Sequence, residues 1–477
     1  MGTYVTDIHG EEFTLGQKRR PRLPLGKITE CARDVPIMHD VDVLVVGGGP
    51  AGTTAAISAA RLGARVMLAE RYTHLGGLST GGLVIWIDRM TDWDGKLVIQ
   101  GLGQELLDRL PADAKYGPAP SSWGSREIDA VARWKPRFSA HHDTVTWAPM
   151  IDPEQLKAVS LAAAREAGVN LLFHVWASSA IIEEGRLRGV VFESKAGRFA
   201  VTARVVIDTT GDGDIFASAG EVAANDVEAS SIQQCINTSW LWAGVDCSRW
   251  LSFRSSHEYE AFAAEARRQL GLFEWPIASW RNDIVVFMGP RWAGYNGLDP
   301  HDLTDVELRS RDKMAELLVY YRAHAPGFEN AWVMLTASQV GVRLTRRLLG
   351  AQILTRDAWS TGHIHDSEIG DSPSLAPKWD SVSVPFGSLL PRQTPGLIVA
   401  GRHLSCDASS QTFMREIPQC WMTGHAAGAA AALAADGGFS PQDVPIKSLQ
   451  DALLKQGAYV RSNRKTTDVQ RVSSEVF

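Results

Sequence analysis

The sequence predicts an α/β fold, a discontinuous Rossmann-like dinucleotide-binding domain that carries an inserted α+β domain. Three observations predict it. The apolar run Val43-Leu44-Val45-Val46 drives into Gly47-Gly48-Gly49-Pro50-Ala51-Gly52 and on into an Ala-rich stretch ending at Gly63. A second apolar run, Arg65 to Ala69, ends at Glu70, eighteen residues past Gly52. Material of the same strand-and-helix kind returns at 151–230 and 395–435, separated by stretches of different character.

The first element reads as strand, tight turn and helix, and each glycine of G-x-G-x-x-G has a physical reason. Gly47 permits the turn, Gly49 lets backbone approach a pyrophosphate, and Gly52 lets the helix pack closely on the strand. The helix N-terminus then faces the anion with unpaired N–H groups and a partial positive charge. Glu70 stands where such a fold places an acidic residue to accept ribose hydroxyls. An ordinary tight turn is the plain alternative, and the second strand with its terminal Glu argues against it.

A second glycine-rich turn, Leu75-Gly76-Gly77-Leu78-Ser79-Thr80-Gly81-Gly82, follows the acidic residue. A nicotinamide-binding domain does not need it. It suits FAD, whose longer body runs from the first turn to a ring that backbone must approach closely; a flexible loop is the alternative.

The chain has 477 residues, 45% of them hydrophobic, enough to bury a large core in two or three interwoven domains. A net charge of -6 and only short Lys/Arg clusters argue against nucleic acid as a partner. Cys31, Cys235, Cys247, Cys406 and Cys420 form an odd set without C-x-x-C spacing. That disfavours a disulfide framework, a zinc site or a dithiol pair, and fits a reducing, cytoplasmic compartment. Arg19-Arg20 is followed by Pro21-Arg22-Leu23-Pro24 rather than an apolar stretch, and no run reaches the length of a membrane span.

Along the chain, this reading places an N-terminal arm at 1–40 with a hairpin around His9-Gly10. Cofactor-domain pieces fall at 41–90, 151–230 and 395–435, a substrate or cap domain at 91–150 and 231–394, and a C-terminal extension at 436–477. The second piece holds a helix from Pro153, a strand from Asn170 to Val175, and hairpins at Glu184-Gly185 and Ala196-Gly197. Trp240, Trp242, Trp250, Trp275, Trp280 and Trp292 crowd the inserted stretch. They suit a pocket for an aromatic or polycyclic substrate, or ordinary core packing.

Two further motifs stand out. Val205-Val206-Ile207 reads as a buried strand ending in the turn Asp208-Thr209-Thr210-Gly211-Asp212-Gly213-Asp214, where backbone can pass near a flavin's pyrophosphate or ribityl chain. Asp208, Asp212 and Asp214 have the chemistry for calcium, but the EF-hand spacing and its distal Glu are missing, so no metal is read here. Gly401-Arg402-His403-Leu404-Ser405 follows a third strand. A helix starting near Gly424 would aim amides at the N1–C2=O edge of a flavin, or pack closely through its small residues.

With these motifs the chain resembles the FAD-dependent oxidoreductase family allied to the glutathione-reductase and fumarate-reductase type flavoproteins, over nearly its whole length. Further matching stretches are Ile28 to Arg33, Gly101 to Leu106, Ile151-Asp152-Pro153-Glu154, Pro326-Gly327-Phe328 and Gly341 to Arg347. The resemblance implies a glutathione-reductase-type FAD domain. It implies FAD contacts at Gly47, Gly49, Pro50, Ala51, Gly52, Glu70, Arg71, Gly77, Leu78, Ser79, Thr80, Thr210, Gly211, Asp212, Gly401, Arg402, Gly424, Ala427 and Gly428, with adenine near Ala177. The chain departs from the family pattern at His425, where Gln is usual, and at Phe386-Gly387-Ser388 in place of Tyr-Arg-Ser.

For chemistry, the expectation is hydride transfer between a small organic substrate and flavin N5, with protein groups moving protons and orienting the reactants. The acid/base candidates are His403, His425 and His365 of the cluster His363-Ile364-His365-Asp366, because imidazole titrates near neutral pH; structural histidines are the alternative. Arg343 and Arg347, four apart and so on one helical face, together with Arg415, suit a clamp on a carboxylate, carbonyl or phosphate, or internal salt bridges; Arg346 is expected to point elsewhere. Covalent flavin attachment through Cys406, His403 or His74 stays open, as does assembly into a homo-oligomer. The leading reading is a dehydrogenase, oxidase or C=C/C=O reductase whose electron acceptor is O2, NAD(P) or a redox protein. A monooxygenase using reduced pyridine nucleotide and a flavin-carrying electron-transfer partner are the competing ones.

Overall fold

The structure, a computed structural model, describes residues 22–224, 235–271 and 276–461. The expected hairpin at His9-Gly10, Trp275 and Asn463-Arg464-Lys465 lie outside the described residues.

Strand β1 (Ile37–Val46) leads into helix α1 (Pro50–Arg61) and strand β2 (Val66–Glu70). Val43 to Val46 are buried on both faces, which is why the run is continuously apolar rather than alternating. The strand begins at Ile37, four residues before the core boundary read at Val41, because its exposed first half still pairs with a neighbour. Helix α2 (Pro153–Glu166) is capped by the Asp152 carboxylate, which accepts from the amides of Glu154 and Gln155.

Strands β3 (Asn170–Phe173), β4 (Trp176–Glu183), β5 (Arg186–Ser194) and β6 (Gly197–Asp208) complete most of the main sheet. Its order is β3-β2-β1-β6-β5-β4. Strands β3, β2, β1 and β6 run parallel; β5 and β4 are antiparallel hairpin strands. One edge of β6 pairs with β1, and its other edge serves two partners, Gly197 to Thr202 pairing with β5 and Val206 to Asp208 with a strand from far downstream.

Between β6 and that strand the chain builds a second sheet from β7 (Trp240–Ala243), β8 (Ile277–Ala278), β9 (Ile284–Phe287) and β10 (Trp332–Thr336), in the order β8-β9-β7-β10. The two-residue period of a strand makes this sheet a wall between two cores. Leu241, Ile284 and Val286 join the main core, whereas Trp240, Trp242, Val285 and Phe287 face the other side. There they meet Tyr321 of helix α3 (Pro300–His324), with the Trp242 and Phe287 rings 4.4 Å apart.

This corrects the substrate-pocket expectation for the tryptophans. Trp240, Trp242, Trp250 and Trp292 are the filling of the second core, and Trp280 is buried in the main one. Their area stabilises packing, and none of them lines the cavity described below.

Strand β11 (Leu397–Val399) returns to pair in parallel with β6. Short helix α4 (Ala408–Met414) and long helix α5 (Ile417–Gly437) follow, and α5 lies against α1. Gly424 and Gly428 allow that approach, since an added Cβ would lie 2.0 Å from Ala51 O and 2.1 Å from Ala55 O. Of the C-terminal extension, 436–461 folds on the body: Leu449 and Leu453 are buried, and Arg461 Nη2 lies 2.7 Å from Asp371 Oδ1. Among the described residues no helix is long and apolar enough to cross a membrane.

Candidate functional site

The C-terminal ends of β1, β2, β6 and β11 open onto one cavity of about 1020 Å³ of atom-free space, its mouth included. This is the edge at which doubly wound α/β sheets bind ligands. At the first turn, an added Cβ on Gly47 (φ +101°) would meet Thr209 O at 2.5 Å, so the backbone just past β6 closes against the turn. Gly49 is the opposite case. An added Cβ there would meet nothing within 4 Å among the described residues. Gly49 also caps α1 without a side-chain hydrogen bond, with Pro at the first helical turn, so the amides of that turn are available to an outside anion.

Glu70 is buried and fixed by the turn it faces. Its Oε2 accepts from Gly48 N at 2.5 Å and its Oε1 from Tyr72 N at 2.8 Å. Arg71 beside it lies over the Trp176 ring at 4.8 Å, at the end of the cavity that Ala177 also lines. The second glycine turn is pressed against the first: an added Cβ on Gly77 would lie 2.8 Å from Gly49 Cα. Ser79 donates to Gly76 O at 2.7 Å and Thr80 to Leu75 O at 2.8 Å, so both hydroxyls hold the loop from inside.

The acidic turn after β6 is organised by Asp208. Its Oδ1 accepts from the amide and hydroxyl of Thr210, and its Oδ2 from the amides of Ile215 and Phe216. Asp212 reaches the cavity and is gripped by Arg402 at 2.5 Å and Thr345 at 2.8 Å. Burial pushes the Asp212 carboxyl up, but the Arg402 charge and these bonds outweigh it and hold the group below its ordinary range. Asp214 is pushed up by burial and by the like charges of Asp212 and Asp208.

The structure brings Gly47, Gly49, Pro50, Ala51, Glu70, Arg71, Gly77, Leu78, Ala177, Thr210, Gly211, Asp212, Gly401, Arg402 and Arg415 to the cavity wall. It leaves Gly52, Ser79, Thr80, Gly424, Ala427 and Gly428 behind that wall, as packing residues. The helix expected near Gly424 begins at Ile417, capped by Glu416 with Pro418 in its first turn, so the helix end at the cavity belongs to Ile417 and Cys420.

The histidines fall elsewhere. His403 is fully buried against the end of β6, with Nε2 3.3 Å from Asp208 Oδ1 and its ring stacked on Phe216. His425 faces away from the cavity toward Gly101 and Gln456, and burial lowers it to about 4. His365 pairs with Gln352 at 3.2 Å and meets the His363 ring edge to face. None of the three lines the cavity, nor do His74 and Cys406; Cys420 does, its thiol pushed up to about 12 by burial.

Arg343 and Arg347 do not share a helix. The segment is extended, with Gly341–Val342 and Arg347–Leu348 in two separate bridges, so the spacing of four carries no common face. Arg346, expected to point elsewhere, donates to Asp212 O and Asp214 Oδ1. Sequence reasoning missed Thr345, Gln339 and Gln411; Gln411, wholly buried, donates from Nε2 to Arg343 O at 3.0 Å and to Arg402 O at 3.5 Å. No local pattern marks it, because Arg343 lies 68 positions away and Arg402 lies outside its helix.

A family model described as FAD dependent oxidoreductase matches residues 42–453. Digeranylgeranylglycerophospholipid reductase 2 of Methanopyrus kandleri is 27% identical over 210 residues, 43% of this chain and 46% of that one. A thiamine thiazole synthase of Methanococcus maripaludis is 29% identical over 181 residues, 36% of this chain and 56% of that one. The matched region thus spans about half the length of each curated relative. A geranylgeranyl bacteriochlorophyll reductase-like structure from Thermoplasma acidophilum aligns over 88% of this chain and 84% of its own, at 14% identity and a TM-score of 0.44.

Proposed function

The chain belongs to the FAD-dependent oxidoreductase family, and from that premise we propose that it moves a hydride between a small organic substrate and the flavin, as a dehydrogenase, oxidase or C=C/C=O reductase. When bound, FAD supplies the two-electron chemistry. The chain's own residues bind, orient and exclude water. Gly49 and the first turn of α1 take the pyrophosphate, Glu70 and the backbone at Ala177 take the adenosine end, and Asp212 with Arg402 braces the middle.

The observation that carries this reading is the span of the cavity. It runs from Trp176 and Ala177 to Arg415, Ile417 and Cys420, and its far wall is furnished by Gln339, Val340 and Val342 from the region of the second sheet. A dinucleotide fills the first part and leaves a chamber of mixed polar and apolar lining at the other. Residues 231–394 are therefore assigned to the substrate side.

The test is optical. The purified protein is expected to show the two-banded visible spectrum of bound flavin, lost to the supernatant on acid precipitation. Anaerobic addition of a substrate from a panel of alcohols, amines, acids and activated alkenes should bleach the bands, or reoxidise the chemically reduced protein. Bound flavin that no member of a broad panel reduces or reoxidises, while a redox protein does so rapidly, would sink the enzyme-with-chamber reading in favour of an electron carrier.

A further inference from the structure

This inference rests on the proposed hydride transfer and concerns the substrate end of the same cavity. Arg415 caps the C-terminus of α4 and lines the cavity. Its Nη2 lies 2.9 Å from Glu416 Oε1, while its Nε is buried and has no hydrogen-bond partner among the described residues. Arg343, next to the cavity-lining Val342, presents a second such atom, Nη1. The two cations are close enough for the charge on one to act on the other. Burial, then the charge on Arg415, then that on Arg291, brings Arg343 down to about 9, which leaves it cationic at neutral pH.

Gln411 holds this pair in place from behind. Its Nε2 donates to the Arg343 carbonyl, and the helix it sits on delivers Arg415, whose amide donates to Gln411 O at 3.4 Å. Two like charges kept together out of water are costly unless a complementary charge offsets them. Arg415 Nε and Arg343 Nη1 thus offer N–H donors from two planar cations, and Glu416 already occupies another edge of Arg415. Both cations pair with planar or tetrahedral oxyanions, but Glu416 already offsets one of the two positive charges, so the single charge of a carboxylate completes the balance where a phosphate dianion exceeds it.

We propose that Arg343 and Arg415 hold a carboxylate of the substrate at this end of the cavity, so that the chain acts on organic acids. The neutral part of the acid then lies against Gln339, Val340 and Val342, on the way to the flavin.

The experiment uses the flavin-loaded protein. Acetate, succinate and benzoate, their amides, and inorganic phosphate are titrated while the visible bands of the bound flavin are followed. The carboxylates are expected to perturb the bands saturably and the amides not to. Arg343→Gln and Arg415→Gln should weaken carboxylate binding about ten- to a hundredfold, the range for losing a charge-assisted hydrogen bond, with FAD content retained. Arg343→Lys should recover part of the loss. Arg249→Gln, which removes an exposed pair with Glu329, should bind like the parent.

Amides binding as well as acids, phosphate binding more tightly than every carboxylate, or loss of FAD itself in the arginine variants would each overturn the assignment, the last by giving the arginines to the cofactor. Binding needs no turnover, so the two readings fail separately. Arginine-dependent acid binding without any bleaching sinks hydride transfer and leaves the carboxylate site standing; bleaching by neutral compounds alone does the reverse.

Discussion

Arg402 Nη2 donates to Asp212 Oδ1 across 2.5 Å, tying the turn after β11 to the turn after β6. The two residues are 190 positions apart in the chain and only 15% and 13% exposed at their side chains. Asp212→Ala should leave Arg402 buried with an unmatched charge and cost about 3 kcal/mol of stability, as broken buried pairs do. Urea unfolding of the apoprotein measures this, and FAD affinity should fall in the same variant. Removing both partners, in Asp212→Ala with Arg402→Met, should be milder than the single change.

Gly49 and Gly424 predict opposite failures of the same small substitution. Gly424→Ala puts a Cβ 2.0 Å from the Ala51 carbonyl oxygen, where only backbone can give way, so α1 and α5 must part. Its stability should drop by about 2 kcal/mol or more, with poor recovery of folded protein. Gly49→Ala has open space and an extended backbone conformation that alanine adopts, so the apoprotein should unfold within about 0.5 kcal/mol of the parent. It should nonetheless bind FAD weakly, which equilibrium titration of the apoprotein would show.

Glu70→Gln should act on the first turn. The carboxylate accepts two backbone N–H bonds, and an amide offers one acceptor and one misplaced donor in its place. The expected loss is about 2 kcal/mol, seen in urea unfolding of the apoprotein with no added ligand. Unchanged stability would mean that the carboxylate's grip on Gly48 contributes nothing to the fold.

His425 sets a pH dependence whose sign can be worked out. The unfolded chain protonates it near 6.5, while burial lowers it to about 4 in the fold. Between those values the unfolded state binds the extra proton, so stability rises with pH from 4 to 6.5 and is lost as acid is added. The gap amounts to about 3 kcal/mol. His425→Gln should flatten that part of the stability profile, and urea midpoints at about pH 5 and about pH 7.5 compare the two proteins directly.

The strand, turn and helix at Val43 to Gly63 were legible because an apolar run, a glycine spacing and a helix-compatible stretch agree locally. The start of α5 was legible in principle, since Glu416-Ile417-Pro418 places proline in the first helical turn; the glycines of Gly424 and Gly428 drew attention to the packing face instead. Arg343 and Arg347 misled because a spacing of four is informative only inside a helix, and nothing nearby measures whether one forms. The burial of His403 beside Asp208 and the reach of Arg346 to Asp214 are products of strand order. They appear only once β11 has returned to β6.

That late return has a consequence for how the protein matures in the cell. Chains emerge from the ribosome N-terminus first, so the first glycine turn is made early while Arg402, Arg415 and the helix that seats against α1 are still unsynthesised. The cradle is complete only when Ile417–Gly437 has docked. Flavin uptake is then a finishing step that waits for this late helix, and the supply of FAD bears on how much finished protein survives rather than on how the nascent chain begins to fold.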